Sequence, residues 1–200
     1  MDANTIESVV GRKFLRKKSH LGEKEKETLY NVEECGTDEF LGAKFLLLFF
    51  SANWCPPCEH FLQVLKDFYN EVNIDSKNVE VIYVSSDKTE QEFKDSYARM
   101  PWITVSYNNS FHADLRNKFE INGIPFVFVL DAQTGFLISK KGRKDISELG
   151  VGCMKHWETE FPLQVEKKKH LDWGASVVEA AKKAAEEEAR KKKEAEREND

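Results

Sequence analysis

The sequence predicts an α/β domain with a central mixed sheet flanked by helices, followed by a charged helical tail. Three observations carry that expectation. The run Phe45–Phe50 is apolar on both faces, the pattern of a central strand covered from both sides. A helical period and then a β-branched strand follow it, which makes a strand–helix–strand crossover unit. Beyond residue 167 the composition turns to Ala, Glu, Lys and Arg. The domain is therefore placed at residues 1–167, with its core at 10–162, and the tail at 168–200.

Each element has its own local signal. Val9–Leu15 reads as a first strand or extended lead-in, and the polar stretch from Lys17 to Thr28 as loop. Thr37–Leu41 suits a short helical turn ended by Gly42. After the central strand, Phe61, Leu65, Phe68 and Val72 recur at spacings of three and four, with Leu62 and Tyr69 widening the stripe, so a helix runs there. Val79–Val84 is a second strand. Thr89 and Glu92 fit a capping box that opens a short helix with Phe93 and Tyr97 on one face. Met100-Pro101-Trp102 closes it, because proline cannot continue the ladder. Ser110–Phe119 is another short helix, with Phe111, Leu115 and Phe119 four apart.

Phe126–Leu130 and Phe136–Ser139 read as two strands joined by the hairpin loop Asp131–Gly135. Asp145 through Trp157 forms a closing helix that Gly150 and Gly152 weaken. In the tail, Glu186/Arg190, Glu187/Lys191 and Glu188/Lys192 set acid four residues before base, the favourable order. No heptad of large residues accompanies them, so a solvated single helix is the reading.

Composition limits the function classes. The formal net charge of −5 argues against nucleic acid as the main partner. No basic start and apolar run follow Met1, so no secretory leader is read there. The longest apolar run, Phe45–Phe50, falls far short of the roughly 20 residues of a membrane span. Four cysteines are too few for a disulfide scaffold. A reducing compartment is expected: the cytoplasm, with the nucleus as a second site. The basic cluster Arg12–Lys18 reads either as a nuclear import signal or as a solvated strand edge whose lysines discourage pairing.

The chemistry sits between the central strand and its helix, in Trp54-Cys55-Pro56-Pro57-Cys58. A cysteine at a helix start lies at the positive end of the macrodipole, beside N–H groups with no intrahelical partner, and both favour the thiolate. Cys58 lies nearly one turn on, so its sulfur faces that of Cys55. Cys55 can then attack a disulfide, and Cys58 can resolve the mixed disulfide. Pro56 and Pro57 suit and stiffen that first turn. Half of a zinc site is the competing reading; it needs four ligands, and Cys35, Cys153 and His60 complete no recognised pattern. Ile124-Pro125 is a second site of interest, because a cis bond facing the cysteines would present backbone groups to an extended substrate.

Strand, Trp-Cys-x-x-Cys, helix, strand and a later Ile-Pro before a hairpin resemble the thioredoxin-like superfamily, with its three-layer fold. The stretches Val84-Ser85-Ser86-Asp87, Met100-Pro101-Trp102, Gly123-Ile124-Pro125 and Gly142-Arg143 resemble tryparedoxins and nucleoredoxins within it. The resemblance implies that Cys55 is the attacking thiol, Cys58 the resolving one and Pro125 a cis residue beside them. It implies that Trp54 and Trp102 shape the substrate surface together with Pro56, Pro57 and Ile124. It further implies protein-disulfide reductase activity on disulfide-containing proteins, with an external dithiol or reductase as electron donor.

Such a protein is expected to be a monomer with no metal, no bound organic cofactor, no nucleic acid and no membrane as partner. A redox-sensing adaptor, whose partner binding follows the state of the cysteine pair, is the alternative from a different class. Three positions depart from the pattern. Glu59 stands where these families often carry Arg, and a carboxylate there opposes a Cys55 thiolate. Phe49 replaces the buried acid of thioredoxins, which leaves water to serve Cys58. Phe126 is bulkier than the residue common after the proline and narrows the groove.

Overall fold

The structure, a computed structural model, describes residues 10–18, 31–107, 116 and 121–159. Among them, seven strands form one mixed sheet: β1 (Phe14–Lys17), β2 (Val32–Cys35), β3 (Phe45–Ser51), β4 (Val79–Ser85), β5 (Ile103–Thr104), β6 (Phe126–Asp131) and β7 (Leu137–Ser139). Their spatial order is β2-β1-β5-β4-β3-β6-β7. β3 pairs parallel with β4 and antiparallel with β6, which puts the apolar run at the centre. All seven residues of β3 and all seven of β4 are buried, as strands sheathed on both faces must be. The expected mixed sheet flanked by helices is the fold observed.

Side chains alternate across β3 with the strand period of two. Phe45, Leu47 and Phe49 enter one core with α1 (Pro56–Val72), α2 (Glu90–Ala98), α3 (Gly142–Leu149) and Trp157. Leu46, Leu48 and Phe50 enter the other, with Val10, Phe14, Phe40 and Ile121. The predicted stripe of α1 is the face it buries: Phe61, Leu62, Leu65 and Phe68. Each such fully buried side chain stabilises the fold by about 1.5–3 kcal/mol. Thr89 and Glu92 form the reciprocal capping box of α2, at 3.2 Å in each direction. The hairpin loop closes on Asp131, whose Oδ1 accepts from the Thr134 backbone N–H at 2.8 Å and its hydroxyl at 2.6 Å.

Several boundaries differ from expectation. β1 lies at Phe14–Lys17 rather than Val9–Leu15, because pairing with β2 and β5 fixes its register. Nor is it a solvated edge. β2 covers it, and its cations are matched: Arg16 donates to Glu33 at 2.7 Å and to Glu39, and Lys17 to the Ala98 carbonyl at 2.6 Å. The closing helix starts three residues early, at Gly142, and breaks at Gly150, whose φ of +54° ends α3. A helical segment resumes at 153–159. Strands β2 and β5 carried no recognised sequence signal. The helix expected at Ser110–Phe119, apart from Arg116, lies outside the described residues, as do most of the Lys17–Thr28 loop, the 167/168 boundary and the charged tail.

Gly142 is where α3 crosses β6. A Cβ there would lie 2.8 Å from Val127 Cγ1 and Val129 Cγ2 and 3.0 Å from the Val127 carbonyl oxygen. Gly142→Ala is therefore expected to push α3 off the sheet and cost about 1–3 kcal/mol. Urea denaturation measures it, and an unchanged midpoint would show that the crossing has slack.

Candidate active site

β3 ends at its carboxyl terminus in the middle of the sheet, and the chain turns through Ala52, Asn53 and Trp54 into α1. Cys55 is the N-cap of α1, in extended backbone conformation, with Pro56 and Pro57 at its first helical positions. Cys55 and Cys58 are joined in a disulfide. Both sulfur-bearing residues are buried, Cys55 at 6% exposure and Cys58 at 1%, and they cluster with Ala52 and Ile124. The prolines between them are exposed.

The helix start differs from expectation in one chemical respect. Pro56 and Pro57 carry no N–H. The next two, on Cys58 and Glu59, both donate to the Cys55 carbonyl, at 2.9 and 3.3 Å. The free backbone donors expected beside the sulfur are thus absent or engaged within the turn. What remains for a Cys55 thiolate is the macrodipole and whatever charges the side chains supply.

The Ile124–Pro125 peptide bond is cis. Pro125 is buried and Ile124 half-buried, and the Ile124 carbonyl oxygen lies 3.8 Å from Cys55 Sγ. In the disulfide that sulfur carries no proton; once reduced and protonated, its S–H is a weak donor with that carbonyl at hand. Phe126 follows half-buried at the head of β6, with its ring 4.8 Å from that of Phe128.

Trp54 stands on the surface, 48% exposed. Its indole N–H donates to the Ser86 carbonyl at 3.3 Å, and the Lys88 ammonium sits 5.2 Å from its ring centroid. Trp102 is elsewhere. It is 2% exposed and packs in the core against Phe49 and Tyr69, with no hydrogen-bond partner for its indole N–H. Buried there, it offers no ring face to a docked substrate, and the expectation for it is corrected. Phe49 fills the same interior, against Phe61, Tyr83 and Trp102.

Two neighbours of the loop, Asp87 and Arg99, had not been assigned to the site from the sequence. Asp87 Oδ1 accepts from the Asn53 backbone N–H at 2.6 Å, while Oδ2 accepts from the Tyr83 hydroxyl at 2.8 Å and the Ser85 hydroxyl at 2.7 Å. Burial and the Asp87 charge push the Tyr83 phenol well above its usual range. Arg99, just past α2, donates to Glu59 and, at 3.0 Å, to the Asn53 side-chain carbonyl. Glu59 is therefore not a lone carboxylate beside the cysteines. Asp87 had two legible cues, its place in the Val84–Asp87 stretch and just beyond the carboxyl end of a parallel strand; Arg99 had none, since its partners are 40 and 46 residues away.

The remaining cysteines lie apart from the pair. Cys153 is fully buried in the α1 core, and Cys35 packs against the opposite one. Among the described residues, no group of three or more His, Cys, Asp and Glu gathers in a metal-holding arrangement. No helix among them is long and apolar enough to cross a membrane.

Comparison with known proteins agrees with this geometry. A family model described as thioredoxin-like matches residues 42–136. A tryparedoxin of Trypanosoma brucei brucei is 36% identical over 118 residues, covering 58% of this chain and 81% of that protein. Human nucleoredoxin is 37% identical over 100 residues, half of this chain but only 23% of that longer protein. The solved structure of tryparedoxin from Trypanosoma brucei superposes with a TM-score of 0.62 at 30% identity, over 76% of this chain and 95% of that one.

Burial pushes the Cys35 thiol up to about 11 and the Cys153 thiol up to about 12. At pH 8 each is then a thiolate only about one part in a thousand or less. Iodoacetamide at that pH is expected to leave both unlabelled in the folded oxidised protein and to label both after unfolding, counted by mass. The folded thiols keep protons that unfolded ones release, so their contribution to stability is lost as pH rises from about 9 through about 12.

Proposed function

The chain belongs to the thioredoxin-like family, and on that premise we propose that it is a thiol-disulfide oxidoreductase acting as a protein-disulfide reductase. The observation that carries the reading is the Cys55–Cys58 disulfide at the head of α1 with cis-Pro125 against it. Relatives of the tryparedoxin and nucleoredoxin type support the general class.

In the proposed cycle the Cys55 thiolate attacks one sulfur of a substrate disulfide. A Cys55–substrate bond forms, the substrate S–S bond breaks, and one substrate thiolate leaves and takes a proton from water. Cys58 then loses its proton to water and attacks Cys55 Sγ. The second substrate thiolate departs, and the Cys55–Cys58 bond closes. Two electrons have passed to the substrate, and an external dithiol or reductase returns the pair to the reduced state. Cys55 takes the first role because it is the more exposed of the two and lies at the helix mouth beside Ile124. Trp54, Pro56, Pro57 and Ile124 surround it and form the substrate surface. The domain responsible is residues 1–167, with 168–200 as an appendage.

Turnover of a disulfide-bonded protein, followed in parallel with dithiothreitol, glutathione and a thioredoxin reductase system, tests the reading. Cys55→Ser is expected to reduce the rate to the uncatalysed background. Cys58→Ser is expected to stall as a covalent substrate adduct on Cys55, visible on non-reducing gels and released by dithiothreitol. Wild-type rates from Cys55→Ser would refute the assignment. Binding of one partner regardless of Cys55 would favour the redox-sensing adaptor instead.

A further inference from the structure

Asn53 and Glu59 bracket the segment Trp54–Cys58, one residue before it and one after it. Both are held by one side chain. Arg99 Nη2 donates to Asn53 Oδ1 at 3.0 Å, Nη1 donates to the Glu59 carboxylate, and Nε donates to the Asp95 carbonyl of its own helix at 3.3 Å. The guanidinium thus spends three of its five donors in a planar fork that only arginine provides. It ties α2 to both ends of the dithiol loop.

The charge matters as well as the geometry. Glu59 is four residues from Cys55, on the same side of the helix, and its N–H donates to the Cys55 carbonyl. Left alone, that carboxylate would work against both a thiolate at Cys55 and the macrodipole that favours one. No free backbone N–H adds to the macrodipole, because the first two helical residues are prolines and the next two N–H groups are engaged. Arg99 is the cation that meets it. Among the described residues, the other titratable or charged groups around the loop are His60 on α1, Asp87 and Lys88 after β4, and Arg116, which donates to the Ser86 hydroxyl at 2.7 Å. Asp87 is engaged by Asn53, Tyr83 and Ser85, and Lys88 lies over Trp54.

We propose that Arg99 is a positioning residue for the dithiol: it clamps Asn53 and Glu59 on either side of the pair and cancels the Glu59 charge that would disfavour the Cys55 thiolate. The proposal rests on the dithiol reading above and assigns to that site a control element located outside the motif. The pair is partly exposed, so its effect is moderate.

The test is alkylation of Cys55 by iodoacetamide in the reduced full-length protein, resolved by peptide mass and followed against pH. Arg99→Gln is expected to slow alkylation at pH 7 by about threefold and move the profile to higher pH, since an unopposed carboxylate of about one charge acts at short range. Glu59→Gln is expected to move it the other way. The double variant Glu59→Gln/Arg99→Gln should return close to wild type, and Arg99→Lys should recover the profile in part. The Cys55–Cys58 reduction potential should follow: more negative in Arg99→Gln, less negative in Glu59→Gln.

A general loosening of the fold would shift both single variants in one direction. That result, or two unshifted profiles beside a normal wild type, overturns the proposal. A wild-type Cys55 that resists alkylation after reduction overturns instead the dithiol reading beneath it. A cooperative urea transition in each single variant, measured beside the profiles, guards against loss of folding.

Discussion

Phe45–Ser51 has no face to give to water, and that constraint places the dithiol. A strand buried on both sides must lie at the middle of the sheet, flanked here by β4 and β6 and covered by two apolar cores. Its exit is therefore at the centre of the sheet's carboxyl edge, where the chain has to turn back over one face. Phe61, Leu65 and Phe68 pull α1 down onto that face. The helix mouth, and Cys55 with it, is consequently fixed where the strand ends. Antiparallel pairing of β6 with the same strand sets Phe126 opposite Phe50 and brings the cis-Pro125 turn alongside. Two segments about seventy residues apart in sequence meet because each abuts one end of a single buried strand.

The same packing accounts for the polar side of the site. With Phe49 among Phe61, Tyr83 and Trp102, the interior beneath the cysteines is aromatic and carries no carboxylate at that position. The acid that does approach the loop, Asp87, has three donors on its two oxygens and serves as an anchor for the Asn53 backbone. Control of the thiolate therefore passes to the rim, where side chains from α1, α2 and the β4 exit meet.

What could be read in the sequence follows the range of the interactions involved. Phe45–Phe50, the α1 stripe, the Thr89–Glu92 box and the Asp131–Gly135 turn are each decided within a few residues, and each stands where local chemistry puts it. The dithiol was legible for the same reason. β2 was not: Val32-Glu33-Glu34-Cys35 is a strand because Arg16 and Leu15 lie opposite its two acids, a fact settled across 17 and 19 residues of chain. β5, two residues long, exists through Thr104 pairing with Leu15 and Tyr83. Glu59 taken alone suggested an opposed thiolate; only folding reveals that Arg99 answers it. The resemblance alone put Trp102 at the substrate surface, whereas its ring fills the space beside Phe49 and Tyr69.

Local environment also sorts the four cysteines. Desolvation disfavours a thiolate on Cys35 and Cys153, and the carboxylates nearby, Glu39 for one and Asp145 for the other, add to that effect. Neither sulfur competes as a nucleophile near neutral pH. Cys55 differs in that it meets the surface at a helix mouth, with Trp54 and two exposed prolines around it. In the proposed cycle, a disulfide brought to this face meets Cys55 first, with Cys58 one turn behind it. Cys58 and Cys153 lie deeper than Cys55, while Cys35, half-buried, is set apart by desolvation and the neighbouring Glu39 charge and by its distance from the helix mouth.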